Sequence, residues 1–280
     1  MHDVFYFTDI HGEWELYEMI YNWCIEQDKE CTIIFGGDAA DRGKNGYKII
    51  YNLISTPQIV YLKGNHEDLF VNAAKELLTY NSSIIHQIHD ADDARAIIYR
   101  AIDNYNNHTA LHVYNGGMDT LIDWILDKAP TSIIDTLDNL YITYTYNNID
   151  FCHAGGSPKA FQSVSNAEYK LTPMRAYDIK TCLWDRNCWS LGWEKDRICV
   201  HGHTPTIYLP SRFYGSIDKS EKTIHPVAWI GKSAPQYDGW KIDMDTGAAF
   251  TGRAYVLNIL TMRVYGFQKN KGLFENWRII

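Results

Sequence analysis

A chain of 280 residues, 46% of them apolar, can bury a sizeable core as one large domain or two modest ones. Its 34 acidic residues outnumber 26 basic ones for a formal charge of −8, a balance that repels nucleic acid and anionic membrane surfaces and excludes both as non-specific partners. Six cysteines without a CxxC pair exclude a disulfide scaffold and a zinc knuckle, and no leader pattern or long apolar run points to secretion or a membrane span, so a reducing cytoplasm is expected.

Taken in chain order, Val4 to Thr8 reads as a strand, Glu13 to Glu26 as a helix, Thr32 to Phe35 as a strand and Gly46 to Ile54 as a helix. Gln58 to Leu62 is a third strand, and a helix starts near Glu67. This alternation is the βαβ signature of an α/β fold with parallel strands. From about Leu69 to Asp138 the chain is polar and helical, with a charge cluster (His86 to Arg95), an Asn-rich stretch (Asn104 to His108) and a terminal helix over Met118 to Leu126. It reads as a helical insertion without a motif of its own. Strands resume at Tyr141 to Tyr146, Ile149 to Cys152, Ile198 to Val200, Trp240 to Met244, Ala254 to Leu260 and Arg263 to Phe267. The two long segments among them, 154–183 and 206–239, read as irregular and as candidate substrate-binding rims.

Five short motifs end the apolar runs: Asp9-Ile10-His11-Gly12, Gly37-Asp38-Ala39-Ala40-Asp41-Arg42-Gly43, Gly64-Asn65-His66-Glu67, Phe151-Cys152-His153-Ala154-Gly155 and His201-Gly202-His203-Thr204-Pro205. Ligands at the carboxyl ends of strands lie where open α/β sheets place their sites. Asp9 and His11, two apart, face the same side of an extended strand and can hold one metal. Asp38 is the natural bridging carboxylate, while Asn65, His153 and His203 complete a second sphere. Carboxylate oxygen and imidazole nitrogen suit manganese, iron or zinc, and two such ions ~3.5–4 Å apart clamp a phosphoryl group and acidify a bridging water. Taken singly, each motif has an ordinary reading: a surface pair, a helix-capping turn, a strand-end histidine. Together they point to a two-metal phosphoesterase centre. His201 stands behind the ligands at most, and His2, His86, His89, His108, His112 and His225 read as surface or core residues.

In this order, DxHG, GDxxDRG, GNHE, HAG and GHTP resemble the phosphoprotein phosphatase (serine/threonine phosphatase) branch of the calcineurin-like metallophosphoesterase superfamily, in its bacterial and phage form. Asn115-Gly116-Gly117, Leu183-Trp184-Asp185-Arg186 and Asp245-Thr246-Gly247-Ala248 extend the resemblance over most of the chain. It implies one metallophosphoesterase domain over 1–280, a β-sandwich of mixed sheets flanked by helices, with the helical insertion at about 69–138 and a variable loop at about 206–239. It implies two divalent metal ions, manganese before iron or zinc, with Asp9, His11 and Asp38 on one and Asp38, Asn65, His153 and His203 on the other. The same resemblance implies that His66 is a general acid oriented by Asp41 and that Arg42 and Arg186 grip phosphate oxygens. Pro205 stands where nuclease relatives carry a second histidine ligand, and Asp41 and Glu67 are present where the dinucleoside polyphosphate hydrolases generally lack them. Ser233-Ala234-Pro235-Gln236-Tyr237 is similar to a loop near the active site of the eukaryotic enzymes. The expected activity is hydrolysis of phosphoserine and phosphothreonine in proteins or peptides by a metal-bridging hydroxide. A dinucleoside polyphosphate or nucleotide hydrolase and a non-catalytic phosphate-binding module are the alternatives.

Overall fold

Short aromatic and β-branched runs build two mixed sheets in the computed structural model, which describes residues 2–104, 107–165, 173–187, 192–209, 225–230 and 238–280. The first sheet grows around β1 (Val4–Phe7), all four residues of which are buried. β1 runs parallel to β2 (Thr32–Phe35), and β2 runs parallel to β3 (Ile59–Tyr61). Parallel neighbours need a crossover, and helices α1 (Trp14–Gln27) and α2 (Gly46–Ser55) supply the two. On the other side of β1, the antiparallel strands β9 (Arg253–Asn258), β10 (Arg263–Gln268) and β11 (Gly272–Arg278) complete the order β11-β10-β9-β1-β2-β3. The second sheet, β4-β5-β6-β8-β7, comprises β4 (Thr143–Tyr146), β5 (Ile149–Cys152), β6 (Ile198–His201), β7 (Val227–Ile230) and β8 (Trp240–Asp243). Its β5, β6 and β8 are parallel.

Alternation along each strand decides what packs where. Val4 and Tyr6 turn to the second sheet, where they join Ile34, Phe151, Val200, Ile242 and Leu257 in an apolar layer between the sheets. Tyr6 stacks on Phe151 there, ring centres 5.4 Å apart. Phe5 and Phe7 turn the other way, onto α1 and the helices α3 (Asn65–Asn81), α4 (Ala91–Asp103), α6 (Met118–Leu126) and α7 (Thr131–Asp138). Helix α5 (Asn107–Tyr114) lies against α3. Outside the second sheet, Cys152 and Cys199 meet Ala160, Phe161 and Val164 of α8 (Pro158–Ser165) and Cys182 of α9 (Pro173–Trp184). With the short α10 (Ala248–Thr251), ten helices flank the two sheets among the described residues, and none is long and apolar enough to cross a membrane.

Several expectations need correction. The helix expected near Glu67 begins two residues earlier, so Asn65 and His66 stand on its first turn. Met118–Leu126 does not end the insertion, because α7 follows. Within 154–183, the described residues hold two helices, α8 and α9: Pro158 suits a first helical position, and Ala160, Phe161 and Val164 share one helix face. Within 206–239, β7 forms an edge strand on β8. Residues 210–224 and 231–237 of that span, Ser233 to Tyr237 included, lie outside the described residues. β11 also went unread, although the left-handed Asn270 turns the chain into it.

The insertion packs through large rings. Trp124 of α6 is fully buried, meets Phe70 edge to face at 6.0 Å and donates from Nε1 to the carbonyl of Pro130. Trp124→Ala is expected to cost about 3–5 kcal/mol in denaturant unfolding, the range for a large aromatic removed from a packed core. A loss under about 1 kcal/mol would show that the insertion contributes little to the stability of the core.

Candidate active site

The five motif loops leave the carboxyl ends of β1, β2, β3, β5 and β6, and backbone hydrogen bonds lace them together. Asp9 N donates to Gly37 O, His11 N to Asp38 O and Gly12 N to Ala39 O, so the loop after β1 lies along the loop after β2. Asp9 and His11 do not continue an extended strand. β1 stops at Phe7, and Asp9, His11, Asp38, Asp41, Arg42 and His203 all adopt left-handed backbone angles, φ between 46° and 71°. Asp and His tolerate this region better than branched residues do, and such strain gathers where a site must aim its side chains.

Asp38 is the hub. Its Oδ2 lies 3.4 Å from His11 Nε2 and its Oδ1 3.3 Å from His153 Nε2, so the two oxygens face two groups of donors. His11, Asp38 and His66 form one group, and Asp38, His153 and His203 the other, each with ligand atoms within 4.8 Å of one another. Asn65 joins the second group, its Oδ1 3.0 Å from His153 Nε2 and 2.8 Å from His203 Nδ1. Asp9 accepts from Thr8 Oγ1 and from the amide of His203, which ties the first sheet's loop to the second's. Among the expected ligands, only Asp9 lies outside both tight groups.

These donors fit divalent cations. His153 gives Nδ1–H to Gly36 O, and His11 gives Nδ1–H to Ala40 O, which turns each Nε2 toward Asp38. His153 Nε2 faces two oxygens, Asn65 Oδ1 and Asp38 Oδ1, so it carries either a proton or, in its place, a bound cation. Burial pulls the His153 imidazolium down, but Asp38, a hydrogen bond to it, Asp9 and Gly36 together raise its pKa to about 10. Burial likewise raises Asp245 to about 6, against the Gly247 N–H and the Arg42 charge that lower it. Buried carboxylates of Asp9, Asp38 and Asp245 thus surround a place that calls for cations.

The expected acid and its partners are also assembled. His66 Nδ1 lies 2.7 Å from Asp41 Oδ2, with both side chains buried. Burial disfavours the His66 imidazolium, yet Asp38 and the Asp41 hydrogen bond outweigh it and raise the pKa above its ordinary value. Arg42 is exposed and spans the site mouth, Nη1 2.8 Å from His11 Nε2 and Nη2 3.1 Å from His66 Nε2. Arg186 is exposed on the rim, and its charge adds to burial and to His153 in holding His203 well below the usual histidine range. His201 sits behind His203, buried against Trp229.

Two residues were missed as parts of this constellation. Glu67 Oε2 accepts from the amides of Asp38 and Gly64, and Oε1 accepts from Ala39, each at 2.8 Å. The fourth letter of GNHE was the available signal. Gly64 has no room for a side chain, because a Cβ there would lie 2.2 Å from Asp38 Oδ1. His112 of α5, read as an ordinary surface or core residue, is fully buried with Nδ1 3.3 Å from Asp41 Oδ2. No spacing in the sequence marks it.

A glutamine at position 67 can satisfy only one side of this clamp, because its NH2 meets an N–H donor on the other. Glu67→Gln is expected to weaken metal affinity about 10–100-fold, as removal of groups that orient ligands does. Unchanged metal binding by equilibrium dialysis would contradict it. A cation that replaces the His153 proton makes uptake proton-linked: below about pH 10 that proton must leave, so affinity rises with pH and falls on acidification. Calorimetric titration with manganese in buffers of different ionisation enthalpy should show net proton release, and none would contradict the fit.

Over residues 3–230 the sequence matches the family described as Calcineurin-like phosphoesterase. No curated protein matches it. Similar solved structures include a putative diadenosine tetraphosphatase (13% identity, 95% of this chain and 92% of that one, TM-score 0.47). A metallophosphoesterase from Sphaerobacter thermophilus (12%, 100% and 88%, TM-score 0.41) and a protein serine/threonine phosphatase from Saccharomyces cerevisiae (12%, 100% and 80%, TM-score 0.43) are also similar. Likenesses this distant do not choose among the substrates those names carry. The family match spans most of the chain and contains all five motif loops, and the chain belongs to the calcineurin-like phosphoesterases.

Proposed function

We propose that this phosphoesterase is a metal-dependent phosphomonoesterase that hydrolyses phosphoserine and phosphothreonine in proteins or peptides. The observation that carries the reading is the buried His66–Asp41 pair at 2.7 Å, a proton donor held in one orientation beside the metal-ligand groups. Divalent cations held by Asp9, His11, Asp38, Asn65, His153 and His203, when bound, supply Lewis acidity and an activated water. The protein's own groups do the rest. Arg42 and Arg186 present guanidinium forks, whose paired donors match phosphate oxygens better than an ammonium does. When substrate enters, Arg42, which donates to His66 Nε2, turns to the phosphate, and Nε2 then takes up a proton from solvent and passes it to the departing oxygen. Asp41 keeps the ring turned and stabilises its charged form before transfer.

The leaving group selects the substrate. A serine or threonine alkoxide is strongly basic and needs that proton, whereas the phosphate that departs from a dinucleoside polyphosphate is weakly basic and needs it little. General acid assistance is worth ~10²–10⁴-fold, and a site that maintains an oriented donor is matched to the poorer leaving group. The net charge of −8 also disfavours polyanions with several unshielded phosphates.

Kinetics of the manganese-loaded protein test the reading. The kcat/KM for a phosphoserine or phosphothreonine peptide should exceed that for diadenosine tetraphosphate by about tenfold or more. The reverse ratio would replace this assignment by a dinucleotide hydrolase, and no turnover of either would leave a phosphate-binding module.

A further inference from the structure

The turn between α5 and α6 belongs to the helical insertion, yet it grips the loop that carries the acid's partner. Asp41 N donates to Thr120 Oγ1 at 3.1 Å, and Arg42 N donates to Gly116 O at 3.0 Å. Between these two contacts, His112 approaches the Asp41 carboxylate itself, Nδ1 3.3 Å from Oδ2. Its ring lies against Phe70 at 5.8 Å, and Gly117 leaves space for it, since a Cβ there would fall 2.2 Å from His112 Nε2. Both side chains are fully buried, and neither His112 nitrogen nor Asp41 Oδ1 has a hydrogen bond among the described residues. A buried imidazole N–H left unpaired is costly, and Asp41 offers it an acceptor 3.3 Å away. Burial also holds the His112 imidazolium below its ordinary pKa, so the ring is neutral with a single N–H to place. One carboxylate oxygen is at present approached by two rings while the other stands empty. A small turn of the carboxylate gives each ring its own oxygen.

From this geometry we propose that His112 is a positioning residue: its Nδ1–H holds the Asp41 carboxylate from the side opposite His66, so that the acid's ring keeps the orientation from which Nε2 gives up its proton. The inference rests on the reading of His66 as a general acid. It makes the insertion part of the catalytic apparatus, although no residue of α5 lines the metal-ligand groups. His112 itself transfers no proton to substrate.

Leaving-group dependence separates positioning from mere packing. With the manganese-loaded protein, His112→Leu should lose about tenfold more kcat on a phosphoserine peptide than on p-nitrophenyl phosphate, whose leaving group needs no acid. His112→Asn, which keeps an N–H donor at the place of Nδ1, should recover most of that difference. Combined with His66→Asn, His112→Leu should add nothing on the peptide, since the two act through one path. Equal losses on both substrates, additive losses, or an asparagine no better than leucine would overturn the proposal. Proton NMR of the folded protein supplies a readout free of turnover: two strongly deshielded imidazole N–H signals are expected, one lost in His112→Leu and the other shifted. A His66 signal unmoved by that substitution would overturn the proposal as well. Should the wild type cleave neither phosphate ester, the assigned activity fails while the spectrum still decides whether His112 holds Asp41.

Discussion

A carboxylate that binds backbone amides around the candidate metal ligands holds their loops in place. Glu67 gathers amides from the loop after β2 and from the entry to α3, and Asp38 returns the contact by accepting from the amide of His66 at 3.0 Å. The first turn of α3 and the Asp38 loop are therefore one rigid piece. Burial and the neighbouring Asp38 raise the Glu67 pKa, while the amides pull the other way by solvating the charged form. The free N–H groups and the dipole of α3 favour negative charge at the same place, which helps two buried carboxylates lie side by side. Asn65 and His66, on that first turn, move only if the whole clamp moves.

Strain is held by the same means. Left-handed backbone at six non-glycine site residues costs of order 1–3 kcal/mol at each, and the lacing of Asp9, His11 and Gly12 onto 37–39 keeps those residues from relaxing. Specific cross-links join the loops of the two sheets: His153 reaches Gly36, and the amide of His203 reaches Asp9. The centre thus depends on how the two sheets sit on each other as much as on either sheet.

Much of this was legible in the chain because ligands and glycines follow apolar runs. Thr32 to Phe35 and Ile149 to Cys152 are strands to the residue, and His11, Asp38, His153 and His203 fall in two close groups that share Asp38. What escaped did so for physical reasons. Two-residue spacing suggested an extended Asp9–His11 pair, whereas left-handed turns do the aiming. α8 and α9 were hidden because their apolar faces are short and broken by polar residues, and they are helices through packing on Cys152 and Cys199. β7 is four residues long and, among the described residues, pairs with β8 alone. His112 carries no local mark at all; it reaches Asp41 only because α5 packs on α3.

The strand order of the first sheet has a consequence for synthesis. β1 is flanked by β2 on one side and by β9 on the other, and β9 spans Arg253–Asn258. The six expected ligands end at His203, so every one of them leaves the ribosome before the strand that closes the first sheet. Until residues 253–268 arrive, a nascent chain that has already paired β1 with β2 presents a fully apolar strand with an open edge, a ready template for pairing with another chain. The late strand β9, far in sequence from most of the chemistry, is what covers that edge of β1.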